Sequence, residues 1–533
     1  MNLEPKQIFE EYKSCYNFKN SVGSKGIYEQ SKINERFYNG DQWYGANCGN
    51  DRPLVRHNII KRIGEYKMSQ IATDSLEVSY GADGVSQAAS TAKGTKKRLE
   101  KLKKVSGFKG ELSEDETNTI LTALDNYYGV TARRMGFERL CGRALKNAYI
   151  SGTGIVYTYW DPEIKTGIYS GIDRSTEITG DIKSEVLRVE DVYFADSYSE
   201  DVQTQPFIII SCLSDVNAVR REAEKYGADQ FALRNIVPDD NGKVQLLTKL
   251  YKDYNEKGEI TVRCVKVTEK VTVRHSFDTR LRLYPLAVFR WEERNNLMYG
   301  DTEVTYLIPN QIAINRMTTA NVWASVTMGM PIMVVNGDTV TDDVTNEPGQ
   351  IIKIYGSNED VAGAVKYVAP PDCCRDFGSG IDDLIKNTLI QSGANEVALG
   401  DSRPDNASAL QNMYDAATYP LKLIKNRYHY FIEEIAGIWA DFWITQYGIR
   451  KIKLVLDSGC WYMPFDASRY RNLYITAQAQ SKEDEDYSDA QKLELLATLY
   501  DKGIIDGRRY VELLPEKISE EIDLATDETE EVK

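Results

Sequence analysis

Residues Arg36-Phe37-Tyr38-Asn39-Gly40-Asp41-Gln42-Trp43 do most to restrict what this chain can fold into. Lys, Glu and Gln are frequent in the helix-forming run before them, and an aromatic pair closes that run. Asn39-Gly40-Asp41 then forces a turn, because Asn and Gly tolerate positive φ. Gln42-Trp43 place a large amphipathic ring directly after the turn, and Arg56-His57-Asn58-Ile59-Ile60 open the next helix at Asn58. The stretch holds no nucleophile, no metal-ligand set and no phosphate loop. It reads as a structural signature: a helix, an obligatory reversal and a second helix.

The chain has 533 residues, of which 42% are hydrophobic and 27% charged. That length suffices for roughly three or four domain-sized cores. No run of about 18 apolar residues is present, so no membrane-spanning helix and no membrane partner are expected. Met1 to Gln7 lack the apolar segment of a secretory signal. The eight Cys follow no ligand or framework spacing; Cys373 and Cys374 are adjacent and the rest isolated, as for reduced thiols in a cytosolic fold. A net charge of −15 argues against gripping nucleic acid over the whole surface. An acidic protein can still meet DNA where the task is to let it pass. Only His57, His275 and His429 occur, which disfavours His-based metal sites and general bases.

Coarse patterning predicts an α+β chain. Residues 5–38 read as one helix interrupted at Gly23 and Gly26, and Lys61 to Ile71 as a second. Ala92 to Val105 is lysine-rich and reads more simply as a solvated face than as a phosphate-contacting patch. Helices follow over about Ser113–Tyr128 and Thr131–Ile150, the latter stopped by Gly152 and Gly154. Strands are expected at Ile155–Trp160, near Ile168, at Val186–Val189, at Phe207–Ser211 and at Leu286–Trp291. Ser214 reads as the N-cap of a helix that ends at Gly227. Leu246–Tyr254 and Ile260–Val267 flank Asn255-Glu256-Lys257-Gly258 and should form a hairpin.

From Tyr299 the texture changes. Val304, Leu307, Ile308, Ile312, Met317, Ala320 and Ala324 follow a near-helical period to about Met328, and Pro309 should kink or split that helix. A strand and turn are expected over Pro331–Asp338, and a turn and strand over Pro348–Tyr355, with the turn at Pro348-Gly349. A helix follows over Ile381–Gln391, then a polar loop over Leu399–Asn406. A long helix over about Ala407–Tyr447 is expected to kink at Pro420 and to bury Ile424, Tyr428, Phe431, Ile435, Trp439 and Phe442. A strand at Ile452–Leu456, a capping box at Ser488–Gln491 and short helices to Leu514 precede an acidic tail, Glu516–Lys533, expected to be mobile.

The sequence holds no Walker loop, no Gly-x-Ser-x-Gly elbow and no His-Glu-x-x-His helix, so no catalytic residue, metal ligand or cofactor is assigned. Gly152-Thr153-Gly154 lies at a helix-to-strand turn, where a helix cap is the simpler account than a dinucleotide loop. Glu483-Asp484-Glu485-Asp486 reads as a solvated charge run, and His429 has no second ligand one turn away. Arg133, Arg134, Arg139, Arg143 and Lys146 read as a stripe on one helix, suited to surface ion pairs or to contact with DNA or a neighbouring subunit.

The order of these parts resembles the portal proteins of tailed bacteriophages, closest in pattern to those of short-tailed phages. Gly40-Asp41-Gln42-Trp43 and the Gln311/Asn315 pair carry the resemblance most specifically. In that family the N-terminal domain is a wing, here residues 1–298. A first stem helix (299–330), a small α/β clip (331–371) and a second stem helix (372–396) follow. The resemblance continues with a tunnel loop (397–406), a long kinked helix and wing return strand (407–480), and a helical crown with the acidic tail (481–533). The C-terminal part is compact where such portals often carry a longer crown or barrel. The resemblance implies a ring, usually a dodecamer in the virion, at the unique capsid vertex. It implies a conduit for double-stranded DNA in packaging and ejection, and contacts with the terminase large subunit, a head-tail adaptor, and the major capsid and scaffolding proteins. It places the protein in the virion, and in the host cytoplasm during assembly. Asp401, Arg403 and Asp405 are the tunnel-loop candidates; Asp382, Asp383, Lys386 and Arg316 are the candidates to face the channel from the stem. The rival readings are a scaffold or adaptor that forms no ring, and a metal-dependent nuclease built from scattered carboxylates.

Overall fold

The computed structural model describes residues 4–45, 53–72, 76–82, 114–170, 176–254, 258–328, 332–335, 365–368, 373–394, 418–456, 459–470, 475–481, 496–500 and 502. In chain order these form α1 (Pro5–Ser21), α2 (Gly26–Asn39), α3 (Ile59–Ala72), β1 (Leu76–Ala82), α4 (Glu114–Met135), α5 (Phe137–Ser151), β2 (Thr153–Ser170) and β3 (Thr176–Leu187). Next come β4 (Val192–Phe194), β5 (Phe207–Asp215), α6 (Val216–Lys225), α7 (Gln230–Arg234), β6 (Lys243–Tyr254), β7 (Ile260–Val267), β8 (Thr272–Asp278) and β9 (Leu286–Arg290). Then follow α8 (Glu303–Met328), β10 (Ile332–Val335), β11 (Val365–Val368), α9 (Cys373–Ser392), α10 (Lys422–Gln446), β12 (Ile449–Leu456), β13 (Gly459–Asp466), α11 (Ala467–Tyr470) and β14 (Ile475–Ser481).

The fold is mixed α+β with open sheets whose strand pairs are all antiparallel. A five-stranded sheet runs β4-β5-β6-β7-β8, and a three-stranded sheet β3-β2-β9. The expected hairpin is β6–β7, with Tyr254 opposite Ile260 and Leu247 opposite Val267. Strand alternation gives the five-stranded sheet two apolar faces. Ile208, Ile210, Val262 and Cys264 turn to the main core, whereas Ile209, Val265 and Val267 meet Ile8 and Cys15 of α1.

The main core joins segments far apart in sequence. Ile60 and Ile63 of α3, Leu140, Ala144, Leu145 and Ala148 of α5, and nearly every residue of α10 from Phe431 to Ile444 are buried. The stripe expected on α10 is buried as read, save Ile424, which packs half-buried against the core. The chain's late return closes the domain: β14 pairs with β1, Ser481 opposite Leu76 through Ile475 opposite Ala82. No helix among the described residues is long and apolar enough to cross a membrane.

Several boundaries differ from the sequence expectation for local reasons. The first helix is two, because Gly23 and Gly26 both take positive φ, +73° and +76°. The break between α4 and α5 falls at Gly136, φ +61°, and not near Gly129, which stays helical. Arg133 and Arg134 therefore end α4, while Arg139, Arg143 and Lys146 lie on α5, so the five do not form one stripe. Asp215, not Ser214, caps α6 by accepting from Asn217 N at 2.8 Å and Ala218 N at 3.1 Å. Val189 belongs to a 3-10 turn. The helix α8 runs unsplit through Pro309. That residue is exposed, and buried Val304, Leu307, Gln311 and Ile314 hold the helix on either side. Pro420 sits in a 3-10 turn, Tyr419–Leu421, before α10, where its fixed φ suits a first turn. The helix α9 starts earlier than read, at Cys373. The basic run 92–105, the strand 351–355, the Pro348-Gly349 turn, the loop 399–406, residues 407–417, the run 483–486 and the tail 516–533 lie outside the described residues. Of the segment 491–514, residues 496–500 are helical.

Candidate functional site

The two motifs that stood out in the sequence meet in space. Gly40 closes α2 at φ +89°, a conformation open to glycine at little cost. Its N–H bonds Phe37 O at 3.2 Å and Asp41 N–H bonds Arg36 O at 2.9 Å, which satisfies the last helical carbonyls. Asn39 itself stays helical, so Gly40 alone supplies the positive φ. The reversal puts Gln42 and Trp43 against the segment that opens α3. Trp43 Nε1 donates to Val55 O at 3.1 Å, and Arg56 Nη1 donates to Gly40 O at 2.5 Å. Asn58 caps α3 by accepting from Lys61 N at 3.1 Å; its amide also donates to Tyr38 O at 2.8 Å.

Helix α8 docks on this turn through side-chain amides. Asn315 Nδ2 donates to Gln42 Oε1 at 2.6 Å, and Asn315 Oδ1 accepts from His57 N at 3.1 Å and from Gln311 Nε2 at 3.0 Å. Gln311 Oε1 accepts from Ile59 N at 3.0 Å, and its Nε2 also reaches His57 O. One turn on, Thr319 Oγ1 accepts from Val55 N at 3.2 Å. The i, i+4 spacing of Gln311, Asn315 and Thr319 puts all three on one helix face. A segment without its own ladder, 55–59, thus finds partners for its backbone groups in α8.

The start of α8 is fastened separately. Thr302 caps the helix, accepting from Val304 N at 3.2 Å while its hydroxyl donates to Tyr149 O. Gly300 N donates to Thr153 Oγ1 at 3.0 Å. A Cβ at Gly300 would collide with Gly152 O, and one at Gly152 with Gly300 O, so both must be glycine for this approach. Asp301 is held below its ordinary pKa: burial works against this, but hydrogen bonds from Tyr306 (2.6 Å) and Arg294 (2.5 Å) outweigh it. Glu303 is pushed up by burial even though Lys67 Nζ lies 2.6 Å from its Oε2. Asn310 of α8 donates to Thr388 Oγ1 of α9 at 3.3 Å.

Between the turn and α8 lies an open cleft of about 370 Å³, with Phe37, Trp43 and Ile312 as its apolar wall. Arg36, Asp41 and Arg316 stand at it, and Gln42 and Asn315 of the amide network line it too. The Arg36 guanidinium lies over the Tyr44 ring at 3.6 Å.

Gly40, Asp41, Gln42, Trp43, Gln311, Asn315 and Arg316 are therefore brought to one place. Asp382, Asp383 and Lys386 are exposed on α9. Asp401, Arg403 and Asp405 lie outside the described residues. The sequence reading missed Thr319, the Lys67–Glu303 pair, the Gly152–Gly300 approach and Asp441. That buried carboxylate accepts from Arg282 Nε at 2.7 Å and from the backbone N–H of Arg282 and Leu283 at 2.8 and 3.2 Å. None carries a local signal; Lys67 and Glu303 are 236 residues apart. Among the described residues no group of three or more His, Cys, Asp or Glu side chains is arranged to hold a metal ion. No family model matches the chain, and no curated protein matches it either.

Proposed function

We propose that this protein is a portal subunit: a ring at the unique capsid vertex through which double-stranded DNA is packaged and later ejected. One observation carries the reading. The unit α8-β10-β11-α9, two helices with a pair of antiparallel strands between them in sequence, is fastened to the Gly40–Trp43 turn through Gln311 and Asn315, so the two motifs behind the resemblance form one buried amide network. In this reading α8 and α9 are the stem, β10–β11 belongs to the clip, and the network sets the angle of the stem on the wing. A channel for moving DNA must avoid tight phosphate contacts, which would stall translocation. A net charge of −15 per chain, repeated around a ring, suits that requirement. Asp382, Asp383, Lys386 and Arg316, with the loop residues Asp401, Arg403 and Asp405, are the channel candidates. The terminase motor and the adaptor would dock at the clip, and capsid and scaffolding proteins at the wing.

Negative-stain images of the purified protein are expected to show annular particles with a central hole. A strictly monomeric mass at micromolar concentration, with no rings in assembled heads, would overturn the proposal. Arg403→Glu is expected to leave rings intact and to impair DNA packaging or retention. Cleavage of linear DNA in Mg²⁺, abolished by one carboxylate substitution, would favour a nuclease instead.

A further inference from the structure

The cleft between the Arg36–Gly45 turn and α8 has the makings of a peptide site. Arg36 and Arg316 both stand at it, and among the described residues neither forms an ion pair. Asp41 is the one acid on the lining, so the cleft carries a local positive excess in a chain of net charge −15. Phe37, Trp43 and Ile312 form the apolar wall of the same cleft that the two arginines line. Aliphatic side chains fit that wall, and carboxylates fit the planar forks of the arginines. A volume of about 370 Å³ holds a few side chains and not a folded domain.

We propose that this cleft is a docking site for an acidic, aliphatic peptide segment, and that the segment is residues 516–533 of this chain. Those residues lie outside the described set, and their sequence supplies the complement. They carry eight acids against two lysines. Within them Ile518-Ser519-Glu520-Glu521-Ile522-Asp523-Leu524 sets carboxylates next to aliphatic side chains. The inference does not depend on the portal reading. It does have a consequence for the stem, because Gln42 and Asn315 line the same cleft and fasten α8, so an occupant touches the groups that set the helix in place.

The test uses the full chain with the photo-crosslinking residue p-benzoylphenylalanine in place of Tyr44, which is 68% exposed at the cleft. Mass spectrometry is expected to map the main cross-link to residues 516–533. Arg36→Glu with Arg316→Glu should cut its yield by about tenfold, the effect of two ion pairs together. Both arginines are exposed, so the thermal midpoint should hold and show that the fold is kept. Adding Glu520→Lys, Glu521→Lys and Asp523→Lys to that variant should restore the yield by reversing the charges together. Cross-links mapping to any other segment or polypeptide would overturn the proposal, as would a yield indifferent to the reversals. The ring images decide the portal reading separately.

Discussion

At the scale of single residues, Asn315 has the most to lose. It is 2% exposed and its amide serves His57, Gln311 and Gln42 at once. Asn315→Leu keeps the approximate size but leaves a backbone N–H and a buried amide oxygen without partners. Each orphan costs about 1–3 kcal/mol, so the urea midpoint should fall clearly, whereas Arg316→Leu, on the exposed face one residue on, should stay within about 0.5 kcal/mol. Equal midpoints for the two variants would mean the network does not hold α8. Lys19 makes a pH-dependent case. It is 1% exposed, donates to Val192 O at 2.9 Å and to Val189 O, and lies over the Tyr193 ring at 4.3 Å. Burial drives its pKa down from 10.5 to about 7, against the pull of Glu190, Asp191 and Cys15. Glu190 is itself bonded by Ser31 and Arg188. Between those two values the unfolded chain keeps a proton that the folded chain has shed. Stability should therefore climb with pH across that window, by up to ~1.4 kcal/mol per unit. Below it both states are charged and the cost of burying the ammonium is fully present. Lys19→Met should remove this contribution to the slope. Denaturant titrations of both proteins across the window measure it, and parallel slopes would show that Lys19 stays protonated when folded.

At the scale of elements, the seating of α8 depends on two glycine backbones pressed together. A Cβ on Gly300 would meet Gly152 O and come within 3.0 Å of Arg290 Cβ and Glu292 O. Gly300→Ala should cost about 1–3 kcal/mol as overpacking. It should also speed amide exchange through the first turn of α8, a local opening. Gly23→Ala, at φ +73° with nothing within 4 Å of the new methyl, should pay the backbone strain alone. If the first turn of α8 exchanged no faster in Gly300→Ala, the close approach would not be what seats the helix. Much at this scale was legible beforehand because its cause is local. Gly40 and Asn58 announce the α2–α3 turn, and the Asn255–Gly258 stretch announces the β6–β7 hairpin. The end of α4 was not legible, since Gly129 and Gly136 offer the same local licence and only packing chooses between them. Nor was the β1–β14 pair, whose partners lie some four hundred residues apart with no turn to join them. The site divides likewise. Gln42, Gln311 and Asn315 each stood out, and the resemblance tied them to one family pattern. Their direct bonding, across 273 residues for Gln42 and Asn315, follows only from the fold.

At the scale of the whole molecule, the question is what covers the surfaces that one chain leaves in water. The helix α8 carries apolar residues around most of its circumference, and such helices ordinarily end up enclosed. Among the described residues the proximal part is the enclosed one: Val304, Leu307 and Ile314 are buried, whereas Val326 is 65% exposed. On the partner helix α9, Leu389 is buried and its neighbour Ile390 is 55% exposed. In the proposed ring these faces would be covered by the same helices of adjacent subunits, and the exposed aliphatics would lie at the contact. Val326→Glu combined with Ile390→Glu should then cost a single subunit little, because exposed positions change stability by about 0.5 kcal/mol or less. Repeated at every contact of a closed ring, the same two charges would face an apolar neighbour, and assembly should fail. Mass photometry and negative-stain images should show wild-type rings, and subunits of unchanged thermal midpoint in the variant. Tyr254→Glu, an exposed change at the end of β6 in the β6–β7 hairpin, serves as the control and should leave rings intact. Rings that survive the double substitution would remove α8 and α9 from the interface while leaving a ring in place. Wild-type protein that never forms rings would sink the portal reading itself.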